Sequence, residues 1–539
     1  MNTLLSVLRE QQKKIDPKLL IFLVLLLNVK LLVKLLAIVL IYLLQPDFKF
    51  AQSFKKSGFG IFYAILLGLA IFNALMNGLF GIENYWAVFL LGTFGWAACF
   101  LVTHQLRVFA EKLSQQKLEN TLAALFLLNA AVSIAVLISI IFETGHFNPY
   151  QYQGNFQKYF INTGDYIKGV SFDTSTTNAA LNGMGMIYFF YRKNWMMLMV
   201  CLFILVLAGS NLVNMLVLLT LAFLLLFKST KLEKSIIFLC VLPFIIFWAK
   251  VSPQNNEYIA SYFKKNTSGT PAQNISKKPP VLTQIPDNEL NPDQLKKKTA
   301  ILFLDSVGKK MMDSFHVVQI NASSPVLQAA LEKKSIPKPD IHTSAYQHKD
   351  DSNKIKKEWI QFALDNQIPQ GTNSGDSRIP GKIKAIKETL LHLKKDHFYS
   401  LTGMGMGNFS SRLAFKVSGL GIAGSYPASL AYINPDFEIN HLKLHLSYFT
   451  KQEKLHSVVN TPNSVFDQLL SEYGIAGMLA FFIFYAGFIL KRSRCLRYGL
   501  PLLILMLGLF FTDYWFELLS VVVVFELLIY TDFKTITDD

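Results

Sequence analysis

Cysteine is scarce, with four in 539 residues, and residues 250–460 contain none. Cys99, Cys201, Cys240 and Cys495 all fall in or beside apolar runs. A disulfide framework and a cysteine metal site are therefore excluded from the longest polar stretch of the chain. The ten histidines are scattered without ligand spacing, so no metal is expected. Charge is sparse at 16% of residues and unbalanced, with 36 Asp and Glu against 52 Lys and Arg, a net charge of +16. Hydrophobic residues make up 52% of the chain. They come in blocks rather than spread evenly, and that excludes an ordinary soluble globule.

A bilayer is crossed by roughly 17–25 apolar residues. Such blocks lie near 59–80, 85–104, 120–142, 177–191, 194–208, 211–227, 234–249, 471–490, 499–512 and 517–531. The expected fold class is an all-α polytopic membrane protein. Short loops rich in Lys and Arg stay cytoplasmic. Arg107, Lys112 and Lys117 form one such loop, and Arg192 with Lys193 a second. Lys228, Lys231 and Lys234 form a third, and Lys491, Arg492, Arg494 and Arg497 a fourth. The alternate connections near Ile82, Ala208 and Asp513 carry no Lys or Arg, so ten spans in strict alternation satisfy every loop. The run 19–44 is basic on both flanks and interrupted by "NVK" at 28–30. It reads as a hairpin of two short helices, giving about twelve membrane helices with both ends cytoplasmic; one tilted span is the alternative. It is too long, and lacks the cleavage pattern, for a signal peptide.

The expected organisation is a basic cytoplasmic tail (1–18) and an N-terminal membrane bundle (19–249) with an outer loop at 143–176. A large extracytoplasmic loop domain (250–460) follows, then C-terminal membrane helices (461–531) and a short cytoplasmic tail (532–539). Residues 251–455 hold 27 Lys and Arg against 18 Asp and Glu. Long translocated domains are exempt from the positive-inside bias, so this surplus is compatible with the topology. Segments 252–300 and 335–380 are Pro-, Asn- and Lys-rich and are expected to be disordered. Residues 300–320 suit one ordered element. From 381, "GKIKAIKETLLHLKKDHFYSL" has apolar residues at helical spacing and predicts an amphipathic helix.

"GMGMGNF" (403–409) resembles a phosphate-cradling loop but lacks the strand–helix context and the Lys-Ser/Thr pair. A tight turn fits it better. The outer side of a membrane offers no nucleotides and no nucleic acid, so neither is an expected partner. A cationic site there suits glycan transfer from a polyprenyl-pyrophosphate donor, whose leaving group needs Arg or Lys clamps. A general base can then help deprotonate the acceptor.

The sequence resembles the bacterial O-antigen ligase and O-antigen polymerase superfamily. "YIKGVSFDTSTTNAALNGMGMIYFF" (166–190) is similar to the family's outer loop leading into a helix. "LAGSNLVNMLVLLTLAFLLLF" (207–227) resembles the next span pair. "LTGMGMGNFSSRLAF" (401–415) followed by "NSVFDQLLSEYGIAGMLAFF" (463–482) resembles the C-terminal signature. The resemblance covers most of the bundle and not 252–380. It implies a metal-independent membrane glycosyltransferase without cofactor, with a lipid-linked glycan donor and a glycan or lipid A-core acceptor. It also implies a place in the inner membrane, where other polysaccharide-assembly proteins are possible partners.

Three positions depart from the family. Ligases of the family carry His followed by Asn, Ser or Gln, nine residues, then Gly-x-x-Gly, with the His as proposed base. Here Gly474 and Gly477 set the register and the histidine position is Asn463, which accepts no proton at neutral pH. Lys168 stands where the family has Arg, keeping the charge and losing the bidentate fork. Ser210-Asn211 replaces Ser-Arg. The missing histidine leans the reading toward polymerase-type joining. Thr461 and Pro462 are expected as N-cap and first residue of a helix running into the membrane. Asn463 and Asp467 then share one face, with Glu472 further in. Asp467, Asn463 and Glu472 are the catalytic candidates, and Arg412, Lys168 and Lys416 the pyrophosphate clamp. Arg412 and Lys168 are expected to face each other. Gly474 and Gly477 leave room for a neighbouring helix or the lipid carrier. The structural alternative gives Asp467 a helix-dipole role and Glu472 an interface role. A transporter or flippase of lipid-linked glycans is the main rival function. A glycosyltransferase with an acidic first outer loop fits poorly, since that connection offers only Glu83.

Overall fold

The computed structural model describes residues 14–145, 147–148, 167–247, 249, 380–394, 397–420, 426–449 and 458–538. The segments expected to be disordered (252–300 and 335–380, save Pro380), the element expected at 300–320 and most of the outer loop 143–176 fall outside these residues. The described residues are mostly helical and include no strand. Four helices are long and apolar enough to cross a membrane: Gly58–Met76, Tyr85–Lys112, Gln115–Thr144 and Val465–Leu490. Shorter apolar helices include Trp195–Leu207, Asn211–Phe227 and Gly499–Leu509. The chain divides into two compact units. One comprises Met1–Leu67, Gly95–Thr270 and Leu479–Asp539, the other Gly68–Phe94 and Pro271–Met478.

In the first unit the run 19–44 forms two helices, Pro17–Leu27 and Leu31–Leu44, broken at the expected "NVK". The first is capped by Asp16, whose side chain accepts from the Leu19 amide at 2.9 Å, with Pro17 fixed for the opening turn. The break is held where Val29 N–H donates to the Ser171 carbonyl at 2.9 Å. Cys99, Cys201 and Cys240 are buried free thiols, and Cys495 is exposed.

Buried amides bolt the end of the segment 143–176 onto this bundle. Asn129 Nδ2 donates to Asn178 Oδ1 at 2.8 Å, and Asn129 Oδ1 accepts from the Val170 amide at 3.0 Å. Asn178 Nδ2 in turn donates to the Ile167 carbonyl and to Ser133 Oγ, both at 3.0 Å. Gly169 has φ +61°, and a Cβ there would lie 2.3 Å from Asn129 Oδ1, so this position needs glycine. Away from water, losing one partner strands the others. Asn178→Ala is therefore expected to cost about 1–3 kcal/mol, seen as a lower unfolding temperature of the purified protein. An unchanged midpoint would show the clasp to be idle.

Candidate functional site

The sequence candidates other than Lys168 lie in the second unit. Lys168 belongs to the first, exposed at the start of the short turn of helix Gly169–Ser171.

The helix carrying Asp467 and Glu472 begins later than expected, at Val465. Thr461 and Pro462 precede it in irregular backbone, so they are neither its N-cap nor its first residue. The reason is a competing partner: Lys382 is buried, and its ammonium donates to Thr461 Oγ1 at 3.2 Å and to the Asn463 carbonyl. Residues 461–463 are thereby held as a strap. Asn463 lies outside the helix, so the expected helical face shared with Asp467 does not form.

The helix is also not continuous. Gly474 has φ 64° and ψ −161°, a conformation that only glycine adopts readily. In an unbroken helix the carbonyls of Ser471 and Glu472 would accept from the amides four residues on. Here they accept from Met404 N–H at 2.9 Å and Gly405 N–H at 3.1 Å. The segment 403–411 is the tight turn expected, with positive φ at Gly403, Gly405 and Gly407. Most of its amides are already used, which leaves few to cradle a phosphate. Gly407 N–H donates to Glu472 Oε1 at 2.9 Å, and Ser410 N–H to Ser471 Oγ at 3.3 Å. Asn73 Nδ2 closes the other side, donating to the carbonyls of Thr402 at 2.8 Å and Gly403 at 2.6 Å.

The crossing is close enough to exclude side chains. A Cβ on Gly403 would sit 2.3 Å from the Glu472 carbonyl carbon, and one on Gly474 2.5 Å from the Leu401 oxygen. The neighbour at Gly474 is thus the 401–403 backbone. Gly477 serves its own helix: a Cβ there would meet Tyr473 Cβ at 2.3 Å. Gly474→Ala combines backbone strain with a main-chain clash and is expected to cost several kcal/mol, on the order of 3 to 5. The readout is loss of monodisperse protein after extraction; wild-type yield and melting would disprove the crossing.

Asp467 sits in the first turn, 1% exposed. Neither carboxylate oxygen has a hydrogen bond of good geometry, although the Ser410 and Thr389 hydroxyls and the Lys382 ammonium are turned toward it. His441 Nε2 lies 3.9 Å from Asp467 Oδ2. On the opposite edge of that ring, Nδ1 lies 3.8 Å from Glu388 Oε2. Glu388 is fixed at the surface by Lys443 Nζ at 3.2 Å. Burial, reinforced by Lys443, pushes the His441 imidazole down to about 3, and the ring is neutral near pH 7. Burial pushes the Glu388 carboxyl up, against the pull of Lys443. His441 packs on Phe409 at 5.0 Å and His445 at 5.6 Å between ring centroids. A desolvated carboxylate without a hydrogen bond is costly and is retained where chemistry uses it.

No family model, curated protein or solved structure compared with this chain matches it.

Arg412 opens the helix Arg412–Val417, whose N-cap Ser411 accepts from the Ala414 amide at 2.9 Å. A cation in a first turn opposes the helix dipole. No ion pair or hydrogen bond holds its guanidinium among the described residues. Lys416, half-buried, lies in the last turn of this helix, and its carbonyl accepts from Tyr426 N–H at 3.0 Å.

Sequence reasoning missed Lys382, Glu388 and His441. One signal was present. In the helix Gly381–Leu393 the buried set includes Lys382, Ala385, Thr389 and His392, three polar side chains on the stripe that should be apolar. His441 and His445, four apart, repeat the pattern on the following segment.

Proposed function

We propose that this chain is a membrane glycosyltransferase that moves a glycan from a polyprenyl-pyrophosphate donor to a glycan or lipid acceptor in cell-surface polysaccharide assembly. The observation that carries this reading is the buried Asp467 carboxylate, set beside the Lys382 ammonium in the first turn of a candidate membrane span. A base in that position meets an acceptor hydroxyl at the boundary where a lipid-linked donor must present its sugar. Arg412, unpaired among the described residues, supplies a fork for the departing pyrophosphate. Glu472, engaged by the glycine turn, acts as scaffold, and Asn463 orients the acceptor. The alternation of basic and uncharged loops supports about twelve membrane helices in the bacterial inner membrane, with both termini cytoplasmic and the large loop periplasmic. The missing family histidine at Asn463 favours polymerase-type joining over transfer to lipid A core.

The test is purified protein given lipid-linked repeat units with and without lipid A core. Longer glycans without core are the expected product. Transfer only in the presence of core would reverse the choice of acceptor, and no transfer with either would defeat the reading.

The donor is already activated, and Arg and Lys balance its leaving group. Turnover is therefore expected to persist in excess chelator. Loss on chelation, restored by a divalent cation, would overturn this account of the charge balance.

A further inference from the structure

A buried base must be emptied after each proton it accepts, and Asp467 is only 1% exposed. The way out runs along three side chains from three separate elements. Asp467 Oδ2 lies 3.9 Å from His441 Nε2, and His441 Nδ1 lies 3.8 Å from Glu388 Oε2. The Asp467 and His441 side chains are fully buried, whereas that of Glu388 is 20% exposed and its partner Lys443 is 54% exposed. Neither ring nitrogen of His441 has a hydrogen bond, so the imidazole is not spoken for by the fold. The two carboxylates flank opposite edges of one ring, which is wrong for chelating an ion, and no metal-holding group of three occurs among the described residues.

We propose that Asp467, His441 and Glu388 form a proton relay that carries the proton accepted at Asp467 outward to water. The inference rests on the reading of Asp467 as the base. The relay starts with the ring neutral, its proton on Nδ1 facing the Glu388 carboxylate. The Asp467 Oδ2–H bond breaks as an Nε2–H bond forms, and the Nδ1 proton passes to Glu388 Oε2. Oε2 is itself buried, so the Glu388 carboxyl turns toward the surface before it releases the proton to water, and one proton enters and one leaves. Asp467 is an ionised base again, and the ring, now protonated on Nε2, resets when local opening to solvent lets it lose that proton and take one on Nδ1, again one out and one in. Because both ring protons move together, imidazolium does not accumulate in this dry site. Lys443 and Lys384 face the outer end, where they favour loss of the proton from Glu388. Lys382 and the buried ring of His445 are the other titratable groups near the inner end. Each heavy-atom gap must close by about 1 Å for a proton to be shared, mostly by movement of the two carboxylates toward the ring, within the range of side-chain motion.

The experiment follows the Asp467 carboxyl band by time-resolved infrared spectroscopy after a pH jump, on the full-length protein in lipid nanodiscs. Asp467→Asn identifies the band. His441→Gln and Glu388→Gln are each expected to slow protonation exchange at Asp467 by on the order of a hundredfold. His441→Ala should be slow as well, and imidazole added to the medium should restore its rate. A merely structural histidine would not respond to imidazole. Wild-type exchange rates in folded His441→Gln and Glu388→Gln would overturn the relay. The readout needs no glycan. If the wild type exchanges quickly yet transfers no sugar, the transfer reading fails while the relay is judged on the band alone.

Discussion

Asp467→Asn is expected to lower glycan transfer by on the order of a hundredfold or more, with the protein made in normal amounts. The substitution keeps the shape and removes only the ability to take a proton. The fold should tolerate it, because neither Asp467 oxygen anchors a hydrogen bond of good geometry. An amide can in fact donate to the neighbouring Ser410 and Thr389 hydroxyls, so melting should hold or rise slightly. Initial rates on lipid-linked repeat units, normalised to protein recovered, give the measurement. Full activity would remove Asp467 as the base, and the transfer would then proceed through a dissociative transition state needing little help with the acceptor proton. A variant that both unfolds and loses activity would point to a structural role instead.

The second large effect belongs to Arg412. If Arg412 clamps the leaving pyrophosphate as proposed, truncation to Ala is expected to remove about 2–4 kcal/mol of transition-state stabilisation. That is roughly a thirtyfold to thousandfold loss of turnover. Stability should barely change, since the side chain is partly exposed and opposes the dipole of its own helix. Arg412→Lys restores the charge without the fork, and recovery should be partial. Near-normal turnover in Arg412→Ala would exclude a role at the pyrophosphate.

The helices were legible because apolar runs of membrane length leave few alternatives. The hairpin break at Asn28–Lys30 was legible for the same reason, a polar interruption where continuity was needed. The start of the Asp467 helix was not. Thr461-Pro462 is a good local opening, but the buried ammonium of Lys382 takes the backbone of 461–463, and nothing near residue 461 announces a partner 79 positions earlier. The kink at Gly474 was half visible. The glycine was marked, but a backbone conformation that exists only because another segment supplies amides to the freed carbonyls has no local signature. The candidate catalytic residues Asn463, Asp467 and Glu472 were all read from one helix. The structure surrounds Asp467 with His441 and Glu388, whose approach depends on how the segments after 394 turn back, and that information lies in long-range packing rather than in periodicity.

The glycine turn at 403–407 and the break at Gly474 are two halves of one device made at different times. Synthesis runs from the N-terminus, so the turn leaves the ribosome some 65 residues ahead of the carbonyls and the carboxylate that its amides will meet. During that interval the turn has donors and no acceptors, and the later helix, once made, has no reason to bend until the turn arrives. Neither half can be ordered alone. A chain cut short before Ser471 would carry an unpaired turn, an open invitation to proteolysis, whereas one that reaches Gly477 can close the pair in a single step. Completion of the membrane part and ordering of the 401–411 segment are thereby the same event.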